Sequence, residues 1–189
     1  MMLLLLVAAL ILGLSRAAID MVSTKKIDPN TPDMITQRGV LERFDVAGLK
    51  RSELIASEVR HFRAEDTLLF NQPRLVQTDP GKPVMTVTGV RGKSIFKASQ
   101  IWFYDQVELR RAPFGTQAEL IIHSHDVFLN QATHQASSDA PVVADMGPHH
   151  AEAVGFVADN SAQTLLLKSK VKMTYVPTAR AALVGTATQ

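Results

Sequence analysis

The chain of 189 residues contains no cysteine. That excludes disulfides, thiol catalysis and cysteine-ligated zinc, and leaves the compartment open. A dominant charge is missing as well: 20 basic residues stand against 18 acidic ones, a net of +2. Such a balance builds no basic face for a phosphate backbone, so no nucleic-acid partner is expected. The chain also lacks G-x-S-x-G, a P-loop, G-x-G-x-x-G and H-E-x-x-H, and its carboxylates are scattered singly. The Gly89–Gly92 stretch "GVRG" could pass for a phosphate loop but has no helix pattern after it. No catalytic residue and no cofactor is assigned. From Met34 onward helical periodicity is almost absent.

What is present begins with "MMLLLLVAALILGLSRAAIDMV". Met1–Leu14 is uninterrupted apolar sequence, about 21 Å of helix. Counting to Val22 reaches the roughly 30 Å of a bilayer core, with Arg16 free to snorkel. Three readings compete: a membrane anchor with its N-terminus inside, a signal peptide cleaved after Ala17, and a buried helix of a soluble domain. The usual basic n-region is missing, which weakens both export readings. The organisation expected from the first is an anchor over 1–22, a polar linker over 23–33 ("STKKIDPNTPD"), a β domain over 34–177 and a patternless, disordered tail over 178–189.

Within the β domain, short alternating runs are separated by turn chemistry. Gly48 offers a left-handed position, and Pro80 and Gly81 suit the centre of a type II turn. Nine strands are expected, near 35–44, 51–62, 67–77, 83–90, 94–110 (broken), 117–130, 133–143, 151–158 and 163–176. Many short strands with regular turns argue for a sandwich, barrel or jelly roll, against a parallel α/β sheet. The runs also resemble one another. With Leu69, Phe103 and Leu167 in one column, the positions two, four and six later are Asn71, Pro73 and Leu75; Asp105, Val107 and Leu109; Ser169, Val171 and Met173. A polar step recurs mid-run, and Ala56, Gly89 and Gly155 precede the column at similar distances. A weaker copy runs from Ser124 through Ala136 to Val142. This suggests stacked copies of one unit, each unable to bury its apolar face alone.

The stretches "AGLKRSELIASEVRHFRAEDTLLFNQPRL", "SQIWFYDQVELRR", "AELIIHSHDVFLNQATHQASSDAPVV" and "AEAVGFVADNSAQTLLLKSKVKMTY", in this order, resemble the lipopolysaccharide export protein C (LptC) family of OstA-like periplasmic jelly rolls. The match covers about Gly39 to Val176, and the apolar N-terminal segment fits in type and position. The resemblance implies an all-β, open two-sheet antiparallel jelly roll preceded by one transmembrane helix. It implies a non-enzymatic, single-pass inner-membrane subunit with a periplasmic domain. Such a subunit relays lipopolysaccharide from the inner-membrane ABC transporter (LptF/LptG with the LptB ATPase) to the periplasmic bridge protein LptA. Departures are the missing basic residues before the apolar run and the "HSH" of the sixth strand.

The candidate lipid-binding inner face is Leu54, Ala56, Leu69, Phe103, Val107, Leu109, Leu120, Ile122, Leu167, Val171 and Met173. A closed core made of the same residues reads identically in sequence. The candidate partner edge is Leu165, Leu167, Val171, Met173 and Tyr175, with Lys168, Lys170 and Lys172 alternating off the apolar face. Gly147 and Gly155 match glycines of the family pattern and are read as turn or bulge positions. His123 and His125 have a metal-ligand spacing that a cupin-like metalloenzyme would use. If Leu120 and Ile122 point inward, however, both imidazoles point outward, and no metal is assigned. A cleaved, soluble bridge-like lipid binder remains the alternative within the same fold.

Overall fold

The computed structural model describes residues 28, 30–95 and 99–176. The expected anchor (1–22), most of the linker and the tail (178–189) lie outside the described residues. Among the described residues there is no helix, and so none long and apolar enough to cross a membrane. The strands are β1 (Met34–Phe44), β2 (Lys50–Phe62), β3 (Thr67–Asn71), β4 (Arg74–Gln77), β5 (Met85–Thr88), β6 (Arg91–Ile95), β7 (Gln100–Arg111), β8 (Leu120–Asn130), β9 (Gln135–Met146), β10 (His149–Asp159) and β11 (Thr164–Thr174). They form one sheet, and every pairing in it is antiparallel.

The connectivity is simpler than eleven strands suggest. β3 and β4 lie end to end along β2, and β6 and β5 lie end to end along β7. The chain is therefore a meander of nine bent strands, each paired with its neighbours in sequence. Short turns dictate this, because a tight turn can join only antiparallel partners. The Asp79–Lys82 turn closes with Lys82 N–H donating to the Asp79 carbonyl at 3.1 Å, and Gly81 takes φ 69°. Gly48 is left-handed too, at φ 78°. The run expected over 67–77 is interrupted at Gln72–Pro73, and the break expected within 94–110 falls between β6 and β7, which leaves β6 in line with β5.

A sheet with no second layer should expose one face of every strand, yet Phe103, Phe156, Ile101, Ile122 and Val87 are all 0% exposed. The sheet covers itself. All the strands but β2 are interrupted or shifted in register near their middles, and these breaks line up across the meander. They fall at Arg38 (φ 52°) in β1, Gln72 (φ 48°) between β3 and β4, and Gly89–Val90 between β5 and β6. They continue at Asp105 and Gln106 (φ 60° and 50°) in β7, Gly155 (φ 78°) in β10 and Lys170 (φ 50°) in β11. Register shifts mark the same level between β7 and β8, β8 and β9, and β9 and β10. Bulges bend strands and sharpen their twist; stacked side by side they form a crease that folds the sheet in two.

Contacts between the turns at opposite strand ends show the halves closing on each other. Arg43 Nη1 donates to Gln131 Oε1 at 2.6 Å, Lys82 Nζ donates to Ser161 Oγ at 2.9 Å, and His134 Nδ1 lies 3.2 Å from Asp79 Oδ2. Residues from both sides of the crease then share one core, Leu75, Val87 and Leu109 from one half with Phe70, Phe103 and Phe156 from the other. Backbone groups that the bend unpairs find substitutes: Ser124 Oγ donates to the Pro141 carbonyl at 3.0 Å, and Gln72 N–H donates to the Val90 carbonyl at 2.8 Å. The polar step that recurs in sequence is this crease. Asn71 to Pro73, Asp105 and Ser169 to Lys170 all fall at it, so what repeats is a bent strand, not a stacked multi-strand unit.

Gly155 bears two constraints at once. Its φ is positive, and a Cβ there would lie 2.7 Å from Lys168 Cδ and 3.1 Å from the Ser138 carbonyl oxygen. Gly81 has the positive φ with open space around it. Gly81→Ala should therefore cost about 1 kcal/mol of backbone strain, and Gly155→Ala about 2–3 kcal/mol. Urea denaturation of the two variants checks the order; equal costs would remove the crease contact from the explanation.

Candidate functional site

The interior follows from strand alternation plus the crease. Along β7, Ile101, Phe103, Val107 and Leu109 are buried; along β8, Leu120 and Ile122 are buried before the bend and Val127 and Leu129 after it. The extra residue at the β8 bend shifts the alternation by one. It leaves His123, His125 and Asp126 exposed together. Leu54 and Ala56 on β2 are buried as well. Of the expected inner-face residues, Leu54, Ala56, Phe103, Val107, Leu109, Leu120 and Ile122 thus share one continuous surface.

Leu69 does not share it. It is 38% exposed, while Phe70 is buried and Leu68 packs on the core. The column that aligned Leu69 with Phe103 placed β3 one residue out of phase, and a one-residue slip reverses every side chain of a strand.

Leu167, Val171 and Met173 are on the last strand. Leu167 pairs with the buried Phe156, and Met173 pairs with the buried Ala151. Directly opposed residues share a face, so both leucine and methionine continue the inner surface. They are uncovered because, among the described residues, β11 has no further neighbour: Val171 is 51% and Met173 58% exposed. Leu165 and Leu167 are half-buried against the core. Tyr175, just beyond β11, stacks on His149 with ring centres 4.8 Å apart. Lys168 points off the apolar face to Asp139, 2.6 Å away. β1 is the matching edge at the other end, pairing only with β2 and exposing Ile35, Val40 and Phe44.

Both edges open into cavities. At the β1 end a pocket of ≈ 170 Å³ lies among Leu41, Leu54, Leu75, Ile101, Arg43 and Gln131. Adjoining it a larger cavity, ≈ 660 Å³, lies between turns and is lined by Arg43, Arg51, Asp79, Lys82 and His134 among others. Its size comes from polar rim, not from the apolar interior. At the β11 end a cavity of ≈ 270 Å³ is lined by Leu120, Ala144, Met146, Leu165, Leu167 and Met173, with Arg111 at its wall. This is the apolar opening.

Among the described residues no three His, Asp or Glu side chains are grouped as metal ligands would be, and His123 and His125 belong to no such group. Three other histidines are tied to carboxylates, His134 to Asp79 as above, and His61 and His150. His61 Nδ1 lies 2.7 Å from Asp33 and Nε2 3.3 Å from Asp66, and these hydrogen bonds raise its pKa above the ordinary histidine value. His150 is raised likewise, first by its hydrogen bond to Asp145 at 2.7 Å. Each clamps an end of the fold, His61 at the start of β1 and His150 at the turn between β9 and β10.

The sequence profile of the family described as lipopolysaccharide-assembly, LptC-related, matches residues 1–176. The chain belongs to that family. No curated protein matches it significantly. Among solved structures it is similar to LptH of Pseudomonas aeruginosa, described as the LptA-homologous periplasmic component of the lipopolysaccharide transport device. That likeness has TM-score 0.56 and 8% identity, and covers 67% of this chain and 95% of LptH. At that identity the likeness concerns the fold: an LptA-like, all-antiparallel β jelly roll.

Two features of the site escaped the sequence reading. One is the crease: its recurring polar step was visible, but not that the strands bend there. The other is Arg111, which continues the inward alternation of Val107 and Leu109; the period was visible, but an arginine at its end reads as a strand terminus.

The histidine clamps give a signed expectation. A histidine with a raised folded pKa contributes its full stability below the unfolded value near 6.5 and loses it as pH climbs through the folded value. The melting temperature should therefore fall as pH rises above the ordinary histidine value of about 6.5, and His61→Gln with His150→Gln should flatten that slope. An unchanged slope in the double variant would remove the clamps from the account.

Proposed function

We propose that this protein is a non-enzymatic relay of the lipopolysaccharide transport machinery. It takes lipopolysaccharide from the inner-membrane ABC transporter, LptF/LptG with LptB, and passes it to the bridge protein LptA. Residues 1–22 would anchor it as a single inner-membrane span with a cytoplasmic N-terminus, 23–33 would form the linker, and 34–177 would work in the periplasm. The tail, 178–189, has no role in this reading.

The observation that carries the proposal is the continuity of the inner face. Buried Phe103, Leu109 and Ile122 connect through Phe156 to half-buried Leu167 and exposed Met173, with no strand among the described residues closing the row. Burying an acyl chain yields about 0.8 kcal/mol per CH₂, so such a trough holds lipid without point contacts. Uncovered edge strands normally invite aggregation. Here β1 would continue the sheet towards the transporter's periplasmic domain, and β11, through Leu165, Leu167, Val171, Met173 and Tyr175, towards LptA by strand addition. Gly147 and Gly155 act through the fold.

Photo-crosslinking in cells tests this. A photoreactive residue at Leu167 or Phe103 should capture lipopolysaccharide, and one at outward-facing His123 should not. Absence of adducts at both inner positions, in folded and expressed protein, would turn the interior into a plain core and leave only a scaffolding role.

A further inference from the structure

Arg111 is the one charged side chain among the buried residues described, at 7% exposure. It stands where the pattern of β7 calls for an apolar residue, in phase with Val107 and Leu109 and paired with buried Met85 and Leu120 on its two neighbours. Its neighbour Arg110 is exposed and pairs with Glu108 at 3.2 Å and Glu119 at 3.0 Å. Arg111 has no carboxylate within ion-pair distance among the described residues. Its Nη2 reaches only Met146 Sδ, at 3.9 Å, a weak acceptor. Asp145 and Glu152, on the strands beside that cavity, are turned to His150.

A guanidinium carries five N–H donors and a charge that burial penalises, so an unpaired one inside a fold is costly. The wall it occupies explains the expense. The cavity beside it, ≈ 270 Å³, has an apolar wall of Leu120, Ala144, Met146, Leu165, Leu167 and Met173, is completed by Ala151, His149, His150 and Gln163, and opens at the β11 edge. A planar cation beside a largely apolar wall fits an amphiphile with an oxyanion next to alkyl chains. The fork geometry suits a phosphate oxygen pair.

We infer that Arg111 is an anion-binding group at the β11 mouth, holding a phosphate of the acylated lipid while its chains occupy the trough. This deepens the relay reading and rests on it: the charge would fix which end of the lipid waits at the exit edge.

The test uses the full-length chain in lipid nanodiscs, titrated with labelled lipid A in its phosphorylated form and in an enzymatically dephosphorylated form. The wild type should prefer the phosphorylated lipid by about tenfold to a hundredfold, as a charge-assisted bidentate contact implies. In Arg111→Met that ratio should fall to about one, and in Arg111→Lys to an intermediate value. Arg111→Met should also melt at or above the wild type, since an uncompensated buried charge is removed. A wild-type ratio near one, a ratio unchanged in Arg111→Met, or a methionine variant that melts well below the wild type would each overturn the Arg111 site. Failure of the wild type to bind either lipid would overturn the relay reading itself.

Discussion

A single antiparallel meander has no second layer to lean on, and everything else in this protein follows from how it solves that. Apolar burial at about 25 cal/mol per Å² is the main force available to a chain with no helix among its described residues and no cysteine. The sheet gains that burial only by turning its two halves face to face. Bending at one strand would leave its neighbours unpaired, so the bend must cross the meander at one level. Arg38, Gln72, Asp105, Gln106 and Lys170 accept left-handed backbone there without being glycine, each at a cost of roughly 1–3 kcal/mol that the shared core offsets.

A folded meander has a property that a closed barrel lacks: its first and last strands never meet. The core is therefore graded. At β7 and β8 it is dry and closed; towards β11 it thins to half-buried Leu165 and Leu167 and ends in exposed Met173. The polar ties between opposing turns, Arg43 to Gln131 and Lys82 to Ser161, hold the two lips at a set distance along one margin. In the proposed relay, carrier function and fold stability would draw on the same side chains, which is why sequence alone could not separate trough from core.

Much of the architecture was legible because it is local. Alternation at Ile101, Phe103, Val107 and Leu109 gave β7 and its inward face, and Pro80–Gly81 gave the turn between β4 and β5. The inner face on β2, β7 and β8 was readable for the same reason. Legibility failed where a bulge changes the phase. In β8 the step from Ile122 to Val127 is odd, and in β3 a column set by Leu69 hides the inward Leu68 and Phe70. The family pattern supplied order and spacing, but neither it nor periodicity could reveal that Arg111, at the end of a regular alternation, would lie without a carboxylate beside an apolar cavity.

The crease reaches the outermost strands, with Arg38 in β1 and Lys170 in β11. Each free edge is therefore a bent template. A straight foreign strand can follow β11 on one side of Lys170 but loses its hydrogen-bond partners on the other. Only a strand with its own bulge at the matching level can zip along the whole edge. The bend that folds the sheet also serves as a password at its margins, admitting strands of the same crooked kind and turning away the straight ones from which amyloid is built.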